Sequence, residues 1–327
     1  MKDKVLVAMS GGVDSSVTLL RIIEMGYEAI GITMKLWEYK NFGGNNLQEN
    51  NCCAVSSINK AKLVCETMGV PHYTIDFTDS FKENVVDNFV DEYLSGRTPN
   101  PCVRCNSFIK WDTFIEQAKI LGAKYIATGH YAQIEEKNGN HFIKQGVDSK
   151  KDQSYVLWGI PKETLSKTIL PLGGLTKEEV RQIARDNKLE TAEEPESMEI
   201  CFIADNNYKR FINEYAPEKV AKIKDGKTLN EKGEELGKND GYINYTIGQR
   251  RGIGLSNPDP LYVKEINPKD NNIVVGKKNS LLKNICKVKN LNWLIEKPKF
   301  PHNTLCQIRY NGRKAEAIII QEGNDFI

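Results

Sequence analysis

The chain lacks any long apolar run. No stretch approaches the ~20 residues of a membrane-spanning helix, and the opening residues 1–4 lead into a strand pattern without a secretory apolar region. We therefore expect a cytoplasmic protein without membrane contact. In that reducing compartment the eight cysteines are not expected to form a disulfide framework. Each is then a packing residue, a metal ligand or a reactive thiol.

The glycine-rich turn near the start of the chain contains no lysine. The run Ser10-Gly11-Gly12-Val13-Asp14-Ser15-Ser16 follows the apolar segment 5–8 and precedes a helical pattern. Two glycines let the backbone approach an oxyanion, while hydroxyls, turn amides and the helix dipole favour negative charge. Without the lysine of the Gly-x-x-x-x-Gly-Lys-Ser/Thr loop, a Walker A site is excluded. An aspartate beside phosphates suits a bridging Mg²⁺, so the turn predicts an ATP site rather than an ordinary strand–helix turn.

Strand and helix patterns alternate through the first part of the chain, which predicts an α/β fold with a parallel sheet. Because ligands of such sheets bind at the carboxyl ends of the strands, the turn at Ser10, Met34 and Gly129 should share one edge. The predicted strands are 5–8, 28–34, 70–75 and 125–128, and the predicted helices are 56–68, 81–94 and 111–121.

The later part of the chain has a different composition. Glycines there separate short alternating segments that predict strands, and we place domains at 1–205, 206–269 and 270–327. Residues 1–205 carry a net charge of −6 and the remainder +8. Interleaved with tyrosine and tryptophan, this basic charge suits a nucleic acid, although a solvated lysine-rich surface has the same composition.

The cysteines differ in their surroundings. Cys102 and Cys105 lie in a proline-stiffened segment between two helical patterns, where we expect a loop, and Cys201 follows about a hundred residues later. No second pair follows at a spacing that suits zinc. The remaining cysteines are expected to be structural: Cys52, Cys53 and Cys65 flank a helix, and Cys286 and Cys306 belong to core strands.

The glycine turn is identical to the pyrophosphate-binding loop of the N-type ATP pyrophosphatases. Further blocks follow in order at 34–37, 96–101, 105–106, 127–131, 151–155, 200–203, 246–250 and 309–310. With them the chain resembles the tRNA-specific 2-thiouridylases, which replace the 2-oxygen of a wobble uridine in tRNA with sulfur. The resemblance implies a Rossmann-like ATP pyrophosphatase domain, a small central β domain and a C-terminal β-barrel-like domain. Similar proteins continue beyond Ile327, so we expect the last domain to be incomplete.

The resemblance also implies roles for individual residues. Cys105 is the nucleophile and Cys201 carries a persulfide, and the two form a transient disulfide. The residues implied to bind ATP, with Mg²⁺, are Ala8, Met9, Ser10, Gly11, Gly12, Val13, Asp14, Ser15, Met34 and Gly129. Those implied to face the target base are Asn100, Pro101 and Cys102, and those implied to contact tRNA are His130, Lys151, Asp152, Gln153, Arg309 and Tyr310. The partners implied are tRNA and a sulfur-relay or cysteine-desulfurase donor, and we expect a monomer.

Cys102 departs from the resemblance, because many similar proteins have an aspartate there. A role for this position in proton transfer is therefore not expected to carry over. Instead, Cys102, Cys105 and Cys201 could ligate a four-iron cluster with one open iron, in place of the persulfide. Two rival functions stay open: a tRNA-modifying ligase with the same loop, which would have no need of paired thiols, and a non-catalytic RNA-binding protein, which would have no need of Asp14.

Overall fold

The computed structural model describes residues 2–38, 55–196, 200–203, 205–310, 312–323 and 325–327. Cys52 and Cys53 lie outside these residues. The strands are β1 Lys4–Ala8, β2 Glu28–Lys35, β3 His72–Asp76, β4 Tyr125–Ala127, β5 Ala132–Lys137, β6 Asn140–Gln145, β7 Thr168–Ile169, β8 Gly226–Leu229, β9 Glu235–Asn239, β10 Tyr262–Asn267, β11 Asn272–Gly276, β12 His302–Cys306, β13 Ala315–Ile319, β14 Gln321–Glu322 and β15 Asp325–Phe326. The α-helices are α1 Val13–Glu24, α2 Val55–Thr67, α3 Thr78–Phe81, α4 Asn88–Leu94, α5 Pro101–Arg104, α6 Phe114–Ile120, α7 Lys177–Asp186, α8 Tyr208–Tyr215 and α9 Pro217–Ala221.

A five-stranded parallel sheet, in the order β3-β2-β1-β4-β7, organises the first part of the chain. The predicted parallel sheet is thus confirmed. Its central strand β1 is completely buried at Val5, Leu6 and Val7, as expected for a strand covered on both faces. The strand order reverses at β1, because β2 and β4 pair on its opposite sides. In such sheets the ligand crevice opens beside the carboxyl ends of the strands at this switch point.

The two faces of the sheet have different cores. On one face Val5 and Val7 pack with Leu19, Ile22 and the buried thiol of Cys65, whose predicted structural role is consistent with this position. Burial raises the pKa of Cys65 to about 12, which leaves this thiol unreactive. On the other face, Leu6 and strand β2 belong to a larger cluster rich in aromatic side chains.

The segment around Cys102 and Cys105 is helical, so the predicted loop is wrong. Asn100 caps α5, its side-chain oxygen accepting the N–H of Val103 at 3.3 Å, and Pro101 occupies the first turn. The helix continues as a π-helix, Cys105–Thr113, into α6. The helix predicted at 111–121 therefore begins at Pro101. A second π-helix, Lys82–Asp87, joins α3 to α4, so the helix predicted at 81–94 begins at Thr78.

The remaining chain is mainly β-structure. Strands β10, β11, β8 and β9 form one sheet, in which β10 and β11 are an antiparallel hairpin that spans the boundary proposed near residue 270. Strands β12 and β13 form a separate pair. The predicted burial of Cys286 and Cys306 is wrong, since both are exposed. Leu305 and Ile318 on the β12–β13 pair are exposed as well, so this two-stranded sheet does not enclose a core. None of the described helices has the length and apolar character that crossing a membrane requires.

Candidate active site

The glycine turn at 10–16 connects β1 to α1 at the point where the strand order of the sheet reverses. Gly11 adopts φ +78°, and a Cβ there would lie 2.3 Å from the carbonyl oxygen of Ser57, so only glycine fits. Ser15 Oγ donates to the carbonyl of Gly12 at 2.9 Å and accepts from Ser10 Oγ at 3.3 Å. These hydrogen bonds within the loop fix the positions of the Ser10 and Ser15 hydroxyls.

The start of α1 is suited to an anion. Its N-cap residue is Gly12, and within the described part of the chain no side chain caps the helix at this end. The first N–H groups of a helix have no partner within the helix, and the dipole adds partial positive charge there. Ala8, Met34 and Gly129 lie at or just beyond the carboxyl ends of β1, β2 and β4, around the same crevice.

Asp14, in the first turn of α1, is held by two donors. Lys177 Nζ lies 2.7 and 2.8 Å from its two carboxylate oxygens, and the Tyr131 hydroxyl donates to Oδ1 at 2.7 Å. The loop after β4 approaches closely, because a Cβ on Gly129 would lie 3.1 Å from Asp14 Cβ. Burial, together with the negative charge of Asp14, raises the pKa of Tyr131 well above its usual value. Tyr131 therefore remains a hydrogen-bond donor.

Glu196 extends this charge network toward residues predicted to contact tRNA. Its carboxylate accepts from Lys151 and lies 3.3 Å from Lys177 Nζ. Although burial opposes ionisation, Lys151 and Lys177 together hold the pKa of Glu196 below its usual value. Asp14, Lys177, Glu196 and Lys151 thus form a continuous line of alternating charge.

Asp152 and Gln153, also predicted to contact tRNA, bind the protein itself in this structure. The Asp152 carboxylate accepts the N–H groups of Gly146 and Ser154 at 2.9 and 3.1 Å. Gln153 Oε1 accepts the N–H of Tyr131 at 3.0 Å. Both side chains therefore order the loop that carries Lys151 and fasten it beside Asp14.

Cys105 stands where α5 becomes a π-helix, a type of irregularity often found at functional sites. Its side chain is nearly buried, at 9% exposure. The next residue, Asn106, is fixed by a 3.0 Å hydrogen bond from Nδ2 to the carbonyl of Val156. This bond joins the Cys105 helix to the segment that follows Gln153.

Cys102 lies on the same helix but keeps contact with solvent. Partial burial of its thiol raises the pKa of Cys102, and the positive charge of Lys110 partly offsets this shift. Lys110 Nζ also lies 3.5 Å from His130 Nε2. Lys110, which the motifs did not single out, therefore connects the predicted base-facing residue to His130.

His130 is buried, with 7% exposure, unlike Arg309 and Tyr310. Burial and then the charge of Lys110 hold its pKa well below 6.5, so the imidazole is neutral. Because an ammonium only donates, Nε2 accepts from Lys110 and Nδ1 carries the proton that faces Thr128 Oγ1 at 2.7 Å. His130 therefore lies inside the site, and its contact with tRNA stays a prediction.

Cys201 is positioned by its neighbour, Phe202. The Phe202 ring centroid lies 5.3 Å from those of Phe89 and Phe211 and 5.8 Å from that of Phe81. Cys201 itself packs against the core cluster that includes Cys105. Two thiols from distant parts of the chain are thus brought to the same core.

The structure does not support an iron–sulfur cluster. Cys102, Cys105 and Cys201 are all described, yet across the described residues no three His, Cys, Asp or Glu side chains are placed to share a metal ion.

Arg309 and Tyr310 lie where the last part of the chain meets the others. Arg309 donates to the carbonyl of Ile247 at 3.0 Å, and the Tyr310 ring lies 6.3 Å from that of Tyr155. Both residues are exposed, so they are accessible to a large ligand.

Sequence comparisons relate this chain to known proteins. Residues 3–205 match the family model described as the tRNA methyl transferase HUP domain, and residues 209–277 match the tRNA methyl transferase PRC-barrel domain. The chain is 43% identical over 323 residues to the tRNA-specific 2-thiouridylase MnmA of Clostridium perfringens, covering 97% of this chain and 88% of that protein. It is 44% identical over 328 residues to MnmA 1 of Caldanaerobacter subterraneus, covering 99% and 89%. A crystal structure of a 4-thiouridine synthetase–RNA complex with bound ATP covers 67% of this chain and 52% of its own, with 16% identity and a TM-score of 0.38.

Proposed function

The chain belongs to the family of the tRNA-specific 2-thiouridylases, and from that premise we propose that it replaces the 2-oxygen of a wobble uridine in tRNA with sulfur, using ATP. One observation carries the proposal for this chain's own residues. The loop at 10–15 meets the start of α1 at the sheet's switch point, and the core cluster against which Ala8 of β1 packs includes Cys105 and is contacted by Cys201. This arrangement supports the proposal that one molecule combines phosphate binding with thiol chemistry.

The residues of the loop fit ATP with Mg²⁺. The amides at the start of α1 and the hydroxyls of Ser10 and Ser15 would bind phosphate oxygens. Asp14 offers one carboxylate, which suits Mg²⁺ because that ion commonly takes its other ligands from phosphates and water. When bound, Mg²⁺ would neutralise charge on the departing pyrophosphate.

Activation must come first, because the 2-carbonyl of uracil has no leaving group. We propose that its oxygen attacks the α-phosphorus of ATP, breaking the bond to pyrophosphate and leaving AMP on the base. The loop and the α1 N-terminus stabilise the charge that develops on the pyrophosphate. Asn100, Pro101 and Cys102, at the start of α5, are proposed to face the base.

Sulfur then arrives from Cys201. The outer sulfur of a Cys201 persulfide attacks C2, AMP leaves, and the base is joined to Cys201 through a disulfide. The Cys105 thiolate attacks Cys201 Sγ, and the electron pair of the broken bond leaves on the thiouridine sulfur. Alternatively, Cys105 attacks the persulfide first and releases hydrosulfide, which then attacks C2. Both routes end in a Cys105–Cys201 disulfide that a thiol reductant must reopen.

A sulfur source must reload Cys201, because the reaction consumes one sulfur atom in each turnover. We propose a sulfur-relay protein or cysteine desulfurase for this role, acting in the cytoplasm. For tRNA, we propose contacts at the exposed Arg309 and Tyr310 and at Lys151, with the basic residues beyond 205 attracting the phosphate backbone.

The test is mass spectrometry of tRNA incubated with the protein, ATP and a persulfide donor. We expect the mass gain of sulfur for oxygen, with AMP and pyrophosphate as co-products. Asp14→Asn should abolish both, whereas Asp186→Asn, which removes an exposed carboxylate at the far end of α7, should not. The addition of a methyl group, ADP as the product, or full activity of Asp14→Asn would contradict the proposal.

A further inference from the structure

An exposed tryptophan lies close to the helix that carries Cys105. Trp158 is 50% exposed, whereas Trp37 and Trp111 are buried in the core. A single exposed apolar side chain is common on the surface of a folded protein and does not by itself indicate a binding site. The argument for Trp158 therefore depends on what holds its backbone and on which side chains share its surface.

The backbone of Trp158 is held from two sides. On one side, Asn292 Nδ2 donates to the Trp158 carbonyl at 2.7 Å. On the other side, a Cβ on Gly159 would lie 2.4 Å from Ser107 Oγ, so the chain passes directly against the π-helix that begins at Cys105. The Trp158 backbone is thus fixed beside this helix while its indole remains accessible to solvent.

Trp158 shares its surface with two tyrosines. It continues the 3₁₀-helix Ser154–Leu157 with φ −60° and ψ −25°, and residues three apart in such a helix lie on the same side, so Tyr155 lies beside Trp158. The Tyr155 hydroxyl donates at 2.8 Å to a carbonyl two residues before Tyr310, and the two tyrosine rings lie 6.3 Å apart. We call Tyr155, Trp158 and Tyr310 the aromatic face. It begins at Tyr310, a residue predicted to contact tRNA, and extends toward the Cys105 helix.

Aromatic side chains on a fixed backbone suit the unpaired bases of RNA. Bases that are not paired stack on aromatic rings, and this contact tolerates any base because each has a π-face. The charge beside the aromatic face fits the same ligand, because Lys151 lies on the loop just before Tyr155 and is proposed to contact tRNA. The aromatic face therefore combines stacking surfaces with a nearby cation.

We propose that Trp158 stacks on the base of an unpaired nucleotide next to the target uridine of tRNA. This inference rests on the proposed function and adds a residue that binds the substrate. An enzyme that modifies a base takes it out of the stack, which exposes the faces of the neighbouring bases to water. The indole of Trp158 covers one of those faces, so it stabilises the conformation in which the target uridine can approach Cys105.

Two other roles for Trp158 make different predictions. If the indole only stabilised the fold, its removal would lower the unfolding temperature and would not depend on the bases of the RNA. If the indole bound a protein that donates sulfur, its removal would leave RNA affinity unchanged. Stacking on a neighbouring base instead makes the effect of Trp158 depend on whether that base is present.

The experiment is filter binding of the full chain to an RNA hairpin whose loop contains the wobble uridine. Two further hairpins each have an abasic site in place of one neighbour of that uridine. For the wild type, one of these abasic sites should lower affinity about fivefold to a hundredfold, as for a lost base–aromatic stack. Trp158→Ala should bind the intact hairpin more weakly by a similar factor and should lose little more at that abasic site. Trp158→Phe, which keeps an aromatic ring, should recover much of the loss.

Tyr73→Ala is the matched control. It removes an aromatic ring that is 52% exposed, in β3 at the edge of the parallel sheet. It should bind all three hairpins as the wild type does, and thermal unfolding of each variant shows that it is folded.

Three results would overturn the inference. Unchanged hairpin affinity in Trp158→Ala would do so, as would equal further losses in this variant and the wild type at both abasic sites; in either case thiolation by the wild type would leave the proposed function intact. Normal hairpin binding by Trp158→Ala with thiolation lost only when a protein supplies the sulfur would identify a protein docking site instead. A wild-type chain that binds none of the hairpins would overturn both the inference and the proposed function.

Discussion

Replacing Phe202 with leucine is expected to weaken the fold and to impair sulfur transfer at the same time. Phe202 is 2% exposed, and its ring contacts those of Trp37, Phe81, Phe89 and Phe211. An aromatic pair contributes ~0.5–1.5 kcal/mol beyond its buried area. Because contacts around one ring are not additive, we expect a loss of about 2–4 kcal/mol in the free energy of unfolding.

The functional loss follows from the peptide bond that joins Phe202 to Cys201. Leucine does not fill the space that the Phe202 ring occupies, so the Cys201 thiol is held less firmly. A displacement of ~1 Å can lower the rate of a reaction about a hundredfold. We expect single-turnover thiolation to fall about tenfold to a hundredfold by this mechanism, with unchanged ATP affinity. Urea unfolding measures the first effect and quenched tRNA thiolation the second.

Ile273→Ala separates the two effects. Ile273 is fully buried in β11, and its truncation should remove a similar ~2–5 kcal/mol without touching the anchor of Cys201. Its thiolation rate should remain that of the wild type under conditions in which both variants are folded. If the two variants lost stability and activity in parallel, Phe202 would be an ordinary core residue and the reasoning would be refuted.

Cys105→Ser and Cys201→Ser should each abolish thiolation yet bind ATP and tRNA normally in titrations, because the lost groups act in the chemistry; full activity of either variant would contradict the pairing. His130 is neutral when folded because burial and Lys110 lower its pKa, so acidification favours the unfolded chain, which takes up the proton below pH ~6.5. Urea unfolding should show this as a loss of about 1.4 kcal/mol at pH ~5.5 that His130→Asn removes, and an equal pH dependence of the two proteins would count against it. Lys110→Met should slow alkylation of Cys102 at constant pH, as followed by mass spectrometry, because its charge lowers the thiol pKa; faster alkylation would reverse the assignment. Affinity for tRNA, measured by filter binding, should fall steeply with salt because phosphate contacts release counterions, and a flat response would exclude the basic residues beyond 205 from the interface.

Local sequence predicts well those features that a few neighbouring residues determine by themselves. The apolar run at β1 and the double glycine after it predict a buried strand and a tight turn into a helix, and the structure has both. The segment at Pro101 shows how one residue type can mislead. Proline stiffens loops but also begins helices, and the preceding Asn100, a favourable N-cap, indicates the second role.

Other features depend on contacts that no local pattern contains. Strand β7 has only two residues, Thr168 and Ile169, so it has no recognisable alternation. A sequence pattern that misses β7 does not predict that Lys177 lies beside the carboxyl ends of the other strands. Cys306 alternates with apolar residues as a core strand does, but its exposure depends on whether another layer covers the sheet. Burial of that kind is a property of the assembled fold.

The ion pair between Asp14 and Lys177 also sets the order in which this site can form. The two residues are 163 positions apart, and the strands β4 and β7 follow β1 and β2 in the chain. Closing so long a loop costs entropy before the contact forms, so contacts between residues this far apart form slowly. During synthesis from the N-terminus, the glycine turn emerges early but stays without its lysine until α7 has left the ribosome. A nascent chain therefore forms the ion pair of Asp14 with Lys177 only when most of the first 205 residues are available to fold.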